Sequence, residues 1–113
     1  GQANQSDSQT VITQTLPATI EMEIIVRASG ASKVTLAQDI GANDTSINLS
    51  QTRPLVGPPG YIKIDNEWLF FISKDRYTLN IEQRGAKNTV PAEHNRNAEV
   101  IYGELFKVVF QVK

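Results

Sequence analysis

The side chains best suited to acid–base or metal chemistry are a few carboxylates and a single histidine. Asp65 and Glu67 flank a predicted turn, and Glu93 and Glu99 flank His94. A catalytic carboxylate pair needs two groups in one pocket with pKa values driven apart, and this spacing indicates no such pair. A metal site usually needs three or four convergent ligands, which one histidine and no cysteine do not supply. We therefore expect no catalytic residue, no metal and no cofactor, and a structural role for His94, whose side chain we expect to bond to loop backbone.

Three basic residues between positions 84 and 96 have the charge to hold a phosphate or a carboxylate: Arg84, Lys87 and Arg96. The planar guanidinium of Arg84 is suited to bidentate pairing with an oxyanion. We favour the alternative that Arg84 ties its loop to Glu67 or Glu99, because nearby carboxylates almost balance these bases. The interleaving of basic and aromatic residues that is typical of single-strand nucleic-acid binders is missing. We expect no nucleic-acid partner.

Five aromatic residues lie close together in the sequence and form a candidate ligand platform. They are Tyr61, Trp68, Phe70, Phe71 and Tyr77. On neighbouring strands, such rings would suit a sugar or a peptide. The alternative is ordinary core packing, and we favour it because a chain with one Trp, three Tyr and four Phe needs most of them inside. A glycan is therefore the less favoured partner.

The composition is that of one ordinary globular domain. The chain has 113 residues, of which 40% are hydrophobic and 20% are charged, and its formal net charge is −1. A nearly neutral chain creates no overall field that would draw it to nucleic acid or to anionic lipid. No apolar run approaches the roughly 20 residues that cross a bilayer, and the N-terminus lacks a signal-peptide pattern. We expect a soluble chain with no membrane partner.

The hydrophobic pattern of the chain has a period of two, which predicts that strands position these residues. Residues 19–27 alternate strictly, residues 34–41 are extended, and residues 45–50 form a short strand with a polar outer face. Residues 61–64 and 67–73 flank Asp65-Asn66, a pair that tolerates positive φ, and predict a tight hairpin. A turn at 74–76 leads to a third strand at 77–82. These three strands form a meander, and the prolines at 54–59 require a loop.

The two ends of the chain differ from this central part. Residues 1–17 are too polar to order themselves, and we interpret them as a flexible or docking N-terminal arm before a single β domain at 18–113. Residues 84–96 lack either period and predict a loop, with one helical turn at 90–93. Residues 98–102 and 105–112 are predicted strands. The fold class is all-β, a small antiparallel sandwich or partly open barrel built around the three-stranded meander, with an N-terminal extended arm.

Two segments of this sequence resemble a β-rich module that recurs in structural proteins of tailed bacteriophages, especially tail and baseplate components. The first is GYIKIDNE at 60–67, and the second is RGAKNTVPAEHNRNAEV at 84–100. Where the module has two glycines, this chain has Asn88 and Asn97, and asparagine is the residue that best replaces glycine at left-handed φ. The resemblance covers about residues 34–102 and implies a set of fold-determining positions. They are Glu67, Arg84, Gly85, Asn88, Thr89, His94 and Asn97.

The resemblance implies a structural virion protein that is not an enzyme, assembled in the bacterial host cytoplasm in the tail, baseplate or a tail-adjacent region. Its partners would be other virion proteins and further copies of itself. A head-decoration or neck protein, and a carbohydrate-binding module in host attachment, are the alternatives. The candidate subunit contacts lie in the arm and in the terminal strands: Thr10, Val11, Ile12, Thr13, Ile25, Phe106, Val108 and Phe110. We expect one face of each terminal strand to be core, and we favour open edges over pairing of the two strands with each other.

Overall fold

The structure is a computed structural model that describes residues 18–112, and all of its regular elements are strands. The predicted all-β class is confirmed. Within the described residues there is no helix, so none that is long and apolar enough to cross a membrane. In chain order the strands are β1 (Ala18–Val26), β2 (Ser46–Asn48), β3 (Gly60–Ile64), β4 (Glu67–Lys74), β5 (Thr78–Ala86), β6 (Val100–Ile101) and β7 (Glu104–Val112).

Strands β2 to β6 form one curled antiparallel sheet, which is a partly open half-barrel. The strand order is β2-β5-β4-β3-β6, so the predicted meander β3-β4-β5 lies at its centre. In the β3–β4 hairpin, Ile64 faces Glu67 across the turn. Asp65 occupies the turn at φ 54°, as expected for a residue that tolerates left-handed backbone.

The core is formed by residues of this sheet and of the segments beside it, and almost all of these residues are aliphatic. Ile62, Ile64, Leu69 and Phe71 of the hairpin are fully buried in it. The segment at 34–41 is not the continuous extended stretch that the sequence predicted, because bends at 37–38 separate its bridged residues. Leu36 donates its amide to the Ala98 carbonyl at 2.9 Å. Single antiparallel bridges from this segment to Leu49, His94 and Glu99 carry it across the core. The meander therefore forms its core with the segments before and after it.

The structure corrects the prediction for residues 84–96 at the N-terminal end of that loop. Strand β5 continues through Arg84 and Gly85 to Ala86, with register shifts against β4 that break the regular period. Gly85 has φ 61°, and a Cβ there would lie 2.5 Å from the Cδ of Pro91. The predicted helical turn at 90–93 is absent. The amide and carbonyl of Ala92 bond to Glu67 and Arg84 instead of to a helical neighbour.

By its contacts the chain divides into two compact units, one spanning Ile25–Leu105 and one containing the outer parts of β1 and β7. We call those outer parts, residues 18–24 and 106–112, the terminal ribbon. β1 pairs with β7 in a two-stranded sheet, which is the arrangement that the sequence interpretation did not favour. The expectation that one face of each terminal strand packs in the core is also wrong, since Ile20 and Phe106 are each 48% exposed. The physical reason is that the described ribbon has two strands and no second layer.

Candidate functional site

The most concentrated polar chemistry in the described residues surrounds the carboxylate of Glu67, which is buried at the start of β4. Arg84 donates from Nε to Oε2 at 2.8 Å and from Nη2 to Oε1 at 3.0 Å. The amides of Gly85 and Ala92 donate at 2.9 and 3.1 Å, and Nε2 of His94 lies 2.7 Å from Oε1. Burial raises the pKa of Glu67, but these donors outweigh it and lower the pKa from 4.5 to about 2.

Arg84 uses its whole guanidinium in this cluster. Besides the two bonds to Glu67, Nη1 donates to the carbonyls of Gly41 and Asp44, and Nη2 to that of Ala92, each at 2.7 Å. A guanidinium has five N–H groups, and five bonds are made. The predicted pairing of Arg84 with Glu67 is therefore present. Arg84 also joins the loop at 41–44 to the loop at 92.

His94 contacts carboxylates with both of its ring nitrogens. Nδ1 lies 2.8 Å from Asp65, in addition to the 2.7 Å contact between Nε2 and Glu67. The sequence interpretation expected this side chain to bond to loop backbone. That is wrong, because only the main chain of His94 makes backbone bonds, to Ile40.

The remaining predicted loop residues set the path of the backbone between 88 and 97. Asn88 and Asn97 have φ values of 65° and 75°, which confirms that they occupy left-handed positions. The hydroxyl of Thr89 donates to the Ala86 carbonyl at 2.6 Å and accepts from the amide of Trp68 at 3.0 Å. Hydrogen bonds therefore join four of the seven predicted fold-determining residues, Glu67, Arg84, Gly85 and His94, in one cluster. Thr89 bonds to the residue that follows Glu67, and the amide of Asn97 donates to the carbonyl of Leu36.

This cluster, which we call the Glu67 clamp, has the chemistry of a structural joint. Both carboxylate oxygens of Glu67 are occupied by donors, so the carboxylate has no open position for a substrate. The two ring nitrogens of His94 point to opposite sides and face different carboxylates. Among the described residues no group of three or more His, Cys, Asp and Glu is arranged to hold a metal ion.

The five aromatic residues of the candidate platform do not share a surface. Phe71 is in the core, Trp68 is buried, and Tyr77 is exposed beside the β4–β5 turn. Tyr61 and Phe70 are half-buried and face each other across strands, with ring centroids 4.8 Å apart. The alternation of β4 explains this division, because neighbouring residues on a strand face opposite sides of the sheet.

The predicted subunit-contact residues differ in how exposed they are. Phe106 and Phe110 are about half exposed, whereas Ile25 and Val108 are more covered. The predicted arm at 1–17, with Thr10, Val11, Ile12 and Thr13, lies outside the described residues.

The sequence analysis missed three basic residues that line one groove: Arg53, Lys74 and Arg76. The only sequence signal for them was basic character next to two predicted turns.

Comparison with known proteins found no matching family model, no matching curated protein and no matching solved structure.

Proposed function

We propose that this chain is a structural protein of a tailed-bacteriophage particle, in the tail, the baseplate or a tail-adjacent region, where its copies hold one another. The observation that carries the proposal of assembly is the exposed apolar surface of the terminal ribbon. The phage assignment is supported separately by the residue pattern at 60–67 and 84–100. Neighbouring copies and other virion proteins are the partners, and the virion is the location.

The terminal ribbon exposes apolar side chains that a folded chain normally covers. Ile20, Met22, Phe106, Val109 and Phe110 are each between 48% and 54% exposed. Half-exposed side chains of this size leave on the order of 100 Å² each uncovered, or roughly 600 Å² with Ile24 included. A standard protein interface buries about 800 Å² on each partner. By strand alternation Val109 lies on the face opposite to Phe106 and Phe110, so this area is divided between the two faces of the ribbon. Each face therefore offers part of the area that one stable contact requires.

The charges of the ribbon favour a second copy of this chain as the occupant. From residue 18 to 24, β1 carries Glu21 and Glu23 and no base, whereas from 106 to 112, β7 carries Lys107 and no acid. Nζ of Lys107 already lies 3.5 Å from Glu21 within one copy. Placing β1 of one copy against β7 of the next would bring opposite charges together again. A contact between different surfaces of identical copies closes into a ring when the rotation permits.

Light scattering on the purified full chain, over a range of concentrations, tests the assembly. Val109 and Val56 provide a matched pair, since both are valines that are 54% exposed and only Val109 is in the ribbon. We expect the unmodified chain and Val56→Asp to form a defined multimer and Val109→Asp to be monomeric. A monomeric unmodified chain, or equal behaviour of the two variants, would contradict the proposal.

The phage assignment has its own test, which is the detection of peptides from this chain in purified phage particles. We expect several copies per particle, and absence from mature particles would remove the assignment. A head-decoration or neck protein is distinguished by its position in a particle density map. A carbohydrate-binding module based on the aromatic platform has less support, because Trp68 and Phe71 are buried.

A further inference from the structure

A groove of about 610 Å³ lies between residues 50–53 and the β4–β5 turn at 74–77. Its volume is within the range of ordinary ligand sites, which is about 300–1,000 Å³. All of its lining residues belong to the unit Ile25–Leu105, and none belongs to the clamp or to the ribbon. An inference about this groove therefore does not depend on the proposed assembly.

Hydrogen bonds hold the two walls of the groove together. Thr52 is buried, and its hydroxyl contacts the carbonyls of Asp75 and Arg76 on the opposite wall. Lys74 donates from Nζ to the carbonyls of Thr52 and Leu55 at 3.1 and 3.2 Å. Preformed walls reduce the ordering cost of binding. The groove is therefore a built feature and not a gap between loose loops.

The charge of the groove is strongly positive in a chain whose net charge is −1. Three basic residues line the groove, Arg53, Lys74 and Arg76, together with one carboxylate, that of Asp75. Oδ1 of Asp75 accepts hydrogen bonds from the amides of Tyr77 and Thr78. Among residues 18–112, neither Arg53 nor Arg76 has a carboxylate partner within ion-pair distance. Two unpaired guanidinium groups in one groove suit the bidentate binding of an anionic group.

The groove also presents one aromatic ring. Tyr77 is 53% exposed, and the guanidinium of Arg76 lies 5.9 Å from its ring centroid. One exposed ring beside unpaired cations suits a ligand with a flat apolar face and an acidic substituent. A sugar ring with a carboxylate, sulfate or phosphate group has this chemistry.

Two other classes of partner fit the groove less well. A peptide that adds as a strand needs free backbone groups. Here the backbone groups of the two walls bond to each other. The amide of Leu49 donates to the carbonyl of Tyr77 at 2.7 Å, and the amide of Thr52 donates to the carbonyl of Arg76 at 3.3 Å. A single-stranded nucleic acid is held by several stacking rings along a cationic path, and this groove has one ring.

We propose that this groove binds an acidic saccharide, with its anionic group held by Arg53 and Arg76 and one sugar ring stacked on Tyr77. Lys74 strengthens the positive field, and it keeps one of its three N–H donors beyond the two carbonyl bonds. The anion supplies charge and the ring supplies apolar contact, so both parts are required for binding.

Titration of the full chain with tri-galacturonic acid, followed by amide chemical shifts, tests this proposal. We expect saturable shifts centred on residues 50–53 and 74–77, with affinity at least tenfold weaker in Arg76→Gln and in Tyr77→Ala. Arg96→Gln is the matched control, because it removes one exposed positive charge from a residue that does not line the groove. It should leave the affinity within about twofold.

The proposal fails if no saturable shifts occur at millimolar ligand. It also fails if Arg96→Gln weakens binding as much as Arg76→Gln, which would indicate unspecific charge attraction, or if a neutral galactose trisaccharide binds equally well. Tighter binding of a tetra-glutamate peptide would identify an acidic peptide, and tighter binding of an oligodeoxythymidylate a single-stranded nucleic acid, as the ligand in place of the saccharide. Because Tyr77 and Arg76 are exposed, unchanged thermal unfolding of both variants separates loss of binding from loss of fold.

Discussion

The Glu67 clamp and the terminal ribbon use opposite means to hold chain segments in place. In the clamp, one buried carboxylate and one guanidinium make directional bonds to segments that are up to 43 residues apart in the sequence. In the ribbon, apolar side chains from the two ends of the chain remain about half exposed. Buried polar groups are costly unless fully paired, and exposed apolar groups become favourable only when covered. The clamp is therefore complete within one chain, whereas the apolar surface of the ribbon would be stabilised by the neighbouring copy that we propose.

Removal of the charge at Glu67 should have the largest effect. Glu67→Gln keeps the shape of the side chain but leaves the guanidinium of Arg84 buried without its counter-charge. Breaking one partner of a buried ion pair costs about 3–5 kcal/mol, which urea unfolding should show as a lower midpoint. Glu99→Gln is the control, because it disrupts only the half-exposed pair with Arg27 and should cost at most about 1 kcal/mol. Equal effects of the two variants would mean that the clamp contributes no more than a surface pair.

Acidification should weaken the same contact. The pKa of Glu67 is lowered from 4.5 to about 2 in the folded chain, so its contribution is fully present above about pH 4.5. It is lost as the pH falls toward 2, and a shift of this size corresponds to about 3 kcal/mol. Urea unfolding at pH 6, 4 and 2.5 should show this loss in the unmodified chain. In Glu67→Gln the free energy of unfolding should fall by about 3 kcal/mol less over the same pH range. Identical pH profiles of the two proteins would show that Glu67 is not the group responsible.

Gly85 offers a smaller test of the backbone path beside the clamp. An added Cβ would lie 2.8 Å from the carbonyl oxygen of Thr89 and 2.5 Å from the Cδ of Pro91, at φ +61°. We expect Gly85→Ala to cost about 2–3 kcal/mol, from left-handed strain plus the clash. Gly30→Ala separates the two effects, since Gly30 has φ +75° with nothing within 4 Å of the added atom. Gly30→Ala should cost about 1 kcal/mol, from the left-handed strain alone. If the urea-unfolding midpoint of Gly85→Ala is no lower than that of Gly30→Ala, the clash makes no contribution.

The ribbon should show the smallest effect on the stability of the single chain. Phe110 is 49% exposed, so Phe110→Ser removes only about half of the burial of a core phenylalanine and should lower the free energy of unfolding by about 1–2 kcal/mol. The comparison requires dilute protein, where association contributes nothing. Destabilisation as large as that of Glu67→Gln would show that the ribbon is part of the core and would remove the contrast between the two regions.

Much of the fold was predictable because alternation and turn chemistry are local properties. Strand β3, the turn at Asp65 and strand β4 follow from a few adjacent residues, and so does the left-handed backbone at Asn88 and Asn97. The pairing of Arg84 with Glu67 was named as one of two alternatives, since charge complementarity limits the partners of a guanidinium. The end of β5 was missed because the bulges beside Gly85 break the period on which the prediction depended.

The sequence by itself determined the all-β class, the meander and the residue types of the clamp, because these depend on side-chain period, turn preference and charge. Only the tertiary structure decided that His94 lies between Asp65 and Glu67, 29 and 27 residues away in the chain. It also decided that Arg53 and Arg76 line one groove, and that β1 pairs with β7. Contacts between distant segments depend on how the whole sheet curls and closes, which no local pattern encodes.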